Sequence, residues 1–154
     1  MKFIADNMLG KLARYLRMAG NDVLYINNID DDEILRIAKA QDRIILTRDT
    51  LMLQRKECKN KIISSLLIKD GDLLEQLQQV KDDLNINLAP LLVRCLECNT
   101  LLEKVKRLEV EGKVPQYVFK TQENFHYCAG CGKYYWRGTH YDNICRTFNY
   151  FQVN

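Results

Sequence analysis

Apolar residues along the chain follow two rhythms. Short continuous blocks such as Phe3-Ile4-Ala5 and Ile44-Ile45-Leu46 have no polar alternation, which suits strands covered on both faces, as in a parallel sheet. Between them, Leu9, Leu12, Ala13 and Leu16 recur at the spacing of one helical face. Ile34, Leu35, Ile37 and Ala38 do the same further on. The two rhythms predict a strand from Lys2 to Ala5, a helix from Met8 to Ala19 closed by Gly20, and a strand from Asp22 to Ile26. A helix from Asp31 to Ala40 and a strand from Arg43 to Thr47 come next. A helix from Leu51 to Glu57, a strand from Ile62 to Ile68 and a helix from Asp72 to Val80 continue the alternation. Such an order predicts an α/β fold with a mainly parallel sheet and helices on both faces.

At Asp83 to Val93 the rhythm breaks, and Pro90 within NINLAP marks a linker or edge segment. The composition changes there. All the paired cysteines lie beyond it, and five of the eight tyrosines lie beyond residue 126. The chain of 154 residues is therefore divided into 1–92, an α/β domain, and 93–154, a smaller appendage. At 47% apolar and 28% charged it reads as globular. No apolar run approaches the roughly 18 residues of a membrane span. The N-terminal stretch lacks a signal-peptide pattern, which predicts a cytoplasmic protein with no membrane partner.

Cys95-Leu-Glu-Cys98 and Cys128-Ala-Gly-Cys131 carry the most specific signal. A CxxC turn brings two sulfurs close, and two turns complete an all-thiolate zinc shell with no position left for water or substrate. The expected zinc is structural. The 29 residues between the pairs exceed the usual spacing of roughly 15–20, so LLEKVKRLEVEGKVP is predicted to be an insertion between two knuckles. Gly130 and Gly132 suit the second knuckle. Cys58 and Cys145 lack such partners and read as small core residues. His126 and His140 are alternative ligands that a four-sulfur shell does not need. KYYWRGTH at 133–140 offers aromatic rings and Arg137 for stacking on unpaired bases, or simply the filling of a small zinc module.

Carboxylates gather in the first half. Asp6 ends the first strand and Asp49 follows the third, while DDDE at 30–33 opens the second helix. In a right-handed β-α-β sheet all three emerge at the carboxyl edge of the strands, where ligands bind. Each also suits a helix cap. Brought within a few ångströms, they call for a hard divalent cation, and a carboxylate-held cation pair can hydrolyse phosphodiesters. Lys11, Arg14 and Arg17 avoid the apolar face of their helix, and Arg48 adjoins Asp49. These bases could hold a phosphate backbone or form a solvated face. Net charge is only +3, with 14 basic and 14 acidic residues through position 90 and 9 against 6 beyond it. Four thiolates on zinc would remove most of that excess, so phosphate attraction has to be local.

FIADNMLGKLARYLRMAG, DDDEILRIA, RIILTRD, RCLECN and FHYCAGCGKYYWRGTH together resemble the PIN-like ribonuclease family with a C-terminal zinc ribbon, the Mut-seven C-terminal RNase domain. The five blocks stand in the family's order and span nearly the whole chain. The resemblance implies a three-layer α/β/α PIN-like domain, a zinc ribbon, RNA as substrate, and a Mg²⁺- or Mn²⁺-dependent site. It makes Asp6 the first-strand acid, and Thr47 and Asp49 the T-x-D element. Asp31 best matches the helix acid, with Asp32 its rival and Glu33 behind; Asp70 or Asp72 is the candidate fourth acid. The catalytic set is thus Asp6, Asp31, Asp32 and Asp49, with Arg14, Arg17, Thr47 and Arg48 toward the substrate.

Two other classes compete with the nuclease. One is an RNA-binding or RNA-processing adaptor without turnover. The other, a phosphoacceptor receiver domain, normally needs adjacent acids after the first strand, whereas Asp6 is followed by Asn7, and it leaves the cysteine pairs unexplained.

Overall fold

In the computed structural model, which describes residues 1–151, four strands run parallel: β1 (Lys2–Ala5), β2 (Asp22–Tyr25), β3 (Ile44–Thr47) and β4 (Ser65–Leu67). Their order across the sheet is β2-β1-β3-β4. Between them lie α1 (Gly10–Met18), α2 (Asp31–Gln41), α3 (Thr50–Gln54) and α4 (Lys56–Lys59), and α5 (Leu73–Leu84) follows. Alternate strand residues feed two cores. Phe3, Ala5 and Leu46 pack with Leu12 and Leu16 of α1 and Leu77 and Val80 of α5. Ile4 and Ile45 pack on the other face with Ile34, Leu35, Ile37, Met52 and Cys58. Each such buried aliphatic or aromatic side chain contributes about 1.5–3 kcal/mol. The result is the expected three-layer arrangement.

Local bonding moves several predicted boundaries. α1 starts at Gly10 because the Asp6 side chain accepts the Met8 amide and the Asp6 carbonyl accepts the Leu9 amide, turning the chain first. The helix expected from Leu51 to Glu57 divides at Arg55, whose backbone is extended at φ −59, ψ 138. β4 is shorter than expected because the amides of Ile62 and Ile63 bond to the Glu57 carbonyl at the start of α4.

After residue 92 a second sheet forms from β5 (Glu103–Val105), β6 (Phe125–Tyr127) and β7 (Tyr134–Trp136), antiparallel in that order. The insertion between β5 and β6 holds a 3-10 turn and α6 (Gln116–Thr121). It builds its own core from Val110, Val114, Val118 and Phe125. The last helix, α7 (Thr139–Asn149), turns back. Its Ile144 and Phe148, with Phe151, join Leu12, Leu16, Leu77 and Val80 in one cluster. The sheets on either side of residue 92 are separate, and the hydrophobic core is continuous across them.

Both edges of the parallel sheet are occupied by side chains. On β2, the Val23 amide donates to Asn99 Oδ1 at 3.0 Å and its carbonyl accepts from Arg17 Nε at 2.9 Å. Beside β4, the Lys69 amide donates to Gln79 Oε1 at 2.9 Å, and Gln79 Nε2 donates to the Leu67 carbonyl at 2.8 Å. No helix among the described residues is long and apolar enough to cross a membrane.

Candidate metal centre and acidic strand edge

The sulfurs of Cys95, Cys98, Cys128 and Cys131 all lie within 4.8 Å of one another. Two near-identical turns bring them there. In the first, the Cys95 amide donates to the Thr100 carbonyl and the Asn99 amide to the Cys95 carbonyl. In the second, Cys128 donates to Lys133 and Gly132 to Cys128 in the same pattern. The equivalent fourth positions, Asn99 and Gly132, are left-handed at φ 71 and 73, a conformation glycine adopts freely and asparagine tolerates.

The donor set fits zinc, a tetrahedral ion that favours thiolates. Burial raises the Cys131 thiol to about 12 and also raises Cys128. At Cys98 burial acts the same way, but hydrogen bonds with Thr100 and the neighbouring thiols outweigh it and bring that thiol down to about 6. Tyr135, whose hydroxyl lies 3.1 Å from Cys95 Sγ, has its pKa raised by burial and by that sulfur. His126 and His140, the alternative ligands, stand outside the four-sulfur group.

The knuckle is fastened to the parallel sheet by polar residues. Arg17, expected to face RNA, is buried: Nε bonds to the Val23 carbonyl, and Nη1 donates to the carbonyls of Leu96 and Glu97 at 2.9 and 2.8 Å. Its position on α1 avoids the main apolar face, yet the first knuckle covers it. Its guanidinium, expected toward the substrate, thus joins α1 to β2 and to the first CxxC turn. Asp22 is a second junction that the sequence does not announce. Its carboxylate accepts from Arg43 Nη1 at 2.6 Å and Asn99 Nδ2 at 2.8 Å, with Arg94 Nη2 3.7 Å away. Burial opposes its charge, but the bonds from Arg43 and Asn99 and the two guanidinium charges prevail and hold its pKa below the usual value.

At the carboxyl edge of the strands, Asp6 follows β1, Asp31 opens α2 and Asp49 follows β3. Asp6 is only 8% exposed. Its Oδ1 accepts from the Met8 amide at 3.0 Å; its Oδ2 accepts from Thr47 Oγ1 at 2.5 Å and the Arg48 amide at 2.9 Å. Three donors offset the cost of burying this carboxylate. Thr47 is fully buried, and its hydroxyl also accepts the Asp49 amide at 2.9 Å. Thr47, expected toward the substrate, thus has its hydroxyl engaged on both sides, with Asp6 and with the backbone of Asp49. Asp49 is exposed and caps α3 through Oδ1, which accepts the Leu51 amide at 2.8 Å.

Neighbouring acids divide by partner. Asp30, not Asp31, caps α2 by accepting the Glu33 amide at 2.8 Å. Glu33 pairs with Arg36, and Asp32 with Arg55. Asp31 has no side-chain hydrogen bond or ion pair among the described residues. Asp72 caps α5 in a reciprocal box with Glu75, whereas Asp70 pairs with Arg48 beside Asp49. Arg14 is half-exposed and 3.1 Å from Glu97. Among the described residues the four sulfurs are the one set of three or more metal-binding side chains whose ligand atoms all fall within 4.8 Å. The carboxylates share an edge without closing into so tight a group.

Against known proteins, the family model described as "Mut7-C RNAse domain" matches residues 1–148. No curated protein and no solved structure matches the chain.

Proposed function

The chain belongs to the Mut7-C RNase domain family, and from that premise we propose that it is a ribonuclease acting on RNA phosphodiester bonds at the carboxyl edge of its parallel sheet. One observation carries the location of the site. A single buried hydroxyl, Thr47 Oγ1, donates to Asp6 and receives the Asp49 amide, so the ends of β1 and β3 present two acids in fixed relation.

Carboxylate oxygens are the donors that Mg²⁺ or Mn²⁺ prefers. Asp6, Asp31 and Asp49 would hold such a cation, which when bound supplies the activation of water and the neutralisation of charge that phosphodiester hydrolysis needs. Asp6 is the rigid member, its orientation fixed by three donors. Asp31 is preferred to Asp32 because Asp32 is committed to Arg55. Asp70 reaches Arg48, the neighbour of Asp49 in the chain, and on that placement it is a better candidate for a fourth acid than Asp72 at the start of α5. Arg48 and Arg14 are the bases that would steady the phosphate backbone. In this reading zinc is structural, because four thiolates complete its shell.

Asp49→Asn keeps the shape of the side chain and removes its charge. Cleavage of defined single-stranded and structured RNAs with Mg²⁺ or Mn²⁺ should fall by roughly a hundredfold or more, with the melting temperature little changed. Parent-rate cleavage by this variant, with contaminating nuclease excluded, would remove Asp49 from the reaction. A second reading, an RNA-binding adaptor without turnover, draws on the openness of the acid group. Tight binding of several RNAs without cleavage under either cation would support it.

A further inference from the structure

Away from the acidic edge, a cleft of about 410 Å³ opens beside β7. Its walls include Tyr117, Tyr134, Trp136, His140 and Tyr141, over an apolar floor of Met18, Leu92 and Leu96. Tyr134 and Trp136 pack one side against the core of the insertion. They remain half-buried and also line the cleft. The edge of the indole lies against Gly138, where an added Cβ would come within 2.8 Å of Nε1. Glycine thus sets where the ring sits.

Basic groups alternate with these rings. Arg137 Cζ is 5.5 Å from the Tyr141 ring centre, and Lys113 Nζ is 5.9 Å from that of Tyr134. A second hollow of about 390 Å³ shares Tyr134, Tyr135 and Trp136, and Arg14, Lys113 and Lys133 rim it, with Glu97 the opposing charge. Flat apolar surfaces interleaved with cations match a chain of alternating bases and phosphates. A proline-rich peptide would also fit aromatic walls, but it has no repeating negative charge for these cations to meet. A duplex keeps its bases stacked within itself and cannot offer their faces.

We propose that this cleft and the hollow that shares its rings bind single-stranded RNA by stacking its unpaired bases on the rings around Trp136, with Lys113 and Lys133 of the hollow and Arg137 beside Tyr141 contacting the phosphates. The substrate class rests on the ribonuclease reading; the cleft lies between the zinc ribbon and the end of α1, away from the acidic edge, and can be tested apart from catalysis.

Trp136 is the single tryptophan of the chain and lines both the cleft and the adjoining hollow, so intrinsic tryptophan fluorescence reports on this surface. The full zinc-loaded chain, without magnesium or manganese, is titrated with a single-stranded uridine octamer and with a blunt RNA duplex of equal length. The single strand should quench Trp136 saturably, and the duplex at the same concentration should not. Tyr117 is 70% exposed, so Tyr117→Ala should fold normally. It should weaken binding of a labelled octamer by roughly fivefold to a hundredfold, as loss of a stacking ring does. Tyr141→Ala should weaken it similarly, and Tyr141→Phe should restore it. Replacing Lys133 and Arg137 by Gln should flatten the logarithmic salt dependence by about 0.7 for each phosphate left without its cation.

Absence of quenching, equal quenching by the duplex, parent affinity in Tyr117→Ala, or saturable quenching by a proline-rich peptide in place of RNA would each overturn the proposal. The two readings can fail separately. An Asp49→Asn chain should bind the octamer like the parent. Stacking without any cleavage by the parent would remove the nuclease and keep the cleft, and cleavage with no response at Trp136 would do the reverse.

Discussion

Thr47 is the smallest group on which the acidic edge depends. Its hydroxyl is buried and engaged on both sides, so Thr47→Val would preserve the shape of the residue while leaving the Asp6 carboxylate short of a donor. Such a loss costs about 1–3 kcal/mol, and cleavage should fall as the acids lose their alignment; Thr47→Ser should recover both. Melting curves and cleavage rates on the three proteins check this. A variant with Val at 47 and parent values in both assays would remove the coupling. Asp6 and Asp49 are legible in the sequence because each ends an apolar run, and the topology of a parallel sheet then assigns both to one edge. Arg17 is not legible. Helical periodicity places it off the apolar face of α1, and only the docking of a segment almost eighty positions later, at Leu96 and Glu97, turns a surface position into a buried one. The same long range hides the choice between Asp31 and Asp32, which depends on where Arg55 reaches.

Among the elements, β2 shows how an edge strand becomes an interior one. The first knuckle lies along it, with Asn99 on Val23 and Asp22, and Arg43 and Arg94 closing around Asp22. Because hydrogen bonds and guanidinium charges hold the Asp22 pKa below its ordinary value near 3.8, the stabilisation is complete above that value. It is lost as pH falls through the lower, folded-state pKa. Asp22→Asn should cost about 2 kcal/mol at neutral pH, and the difference from the parent should shrink below pH 4. Denaturant unfolding of both proteins across pH 3–7 tests it; a difference independent of pH would rule out the carboxylate charge as its cause. The strand itself is easy to anticipate from Asp22 to Ile26, one residue longer than it is. Its partner is not, since nothing in a CxxC turn names the surface it will cover.

For the whole molecule, composition marks a change near residue 92; the last strand of the parallel sheet ends at Leu67 and the first of the antiparallel sheet begins at Glu103. Hydrophobic periodicity cannot say whose core a late helix will complete, and α7 returns Ile144 and Phe148, joined by Phe151, to the layer formed by α1 and α5. Removing zinc should therefore loosen more than the ribbon. A chelated chain is expected to melt lower in one transition, with the Val23 amide losing hydrogen-exchange protection along with the ribbon amides. Selective loss of the ribbon above an unaffected parallel sheet would contradict that coupling. Gln79 has a different kind of consequence. By matching the Lys69 amide and the Leu67 carbonyl, it imitates the backbone of a neighbouring chain at the carboxyl end of β4, where a newcomer would otherwise pair. Gln79→Ala would unmask that template, and light scattering at rising protein concentration should then detect fibrous self-association that the parent resists. One side-chain amide thus bears on how crowded a solution this molecule can endure.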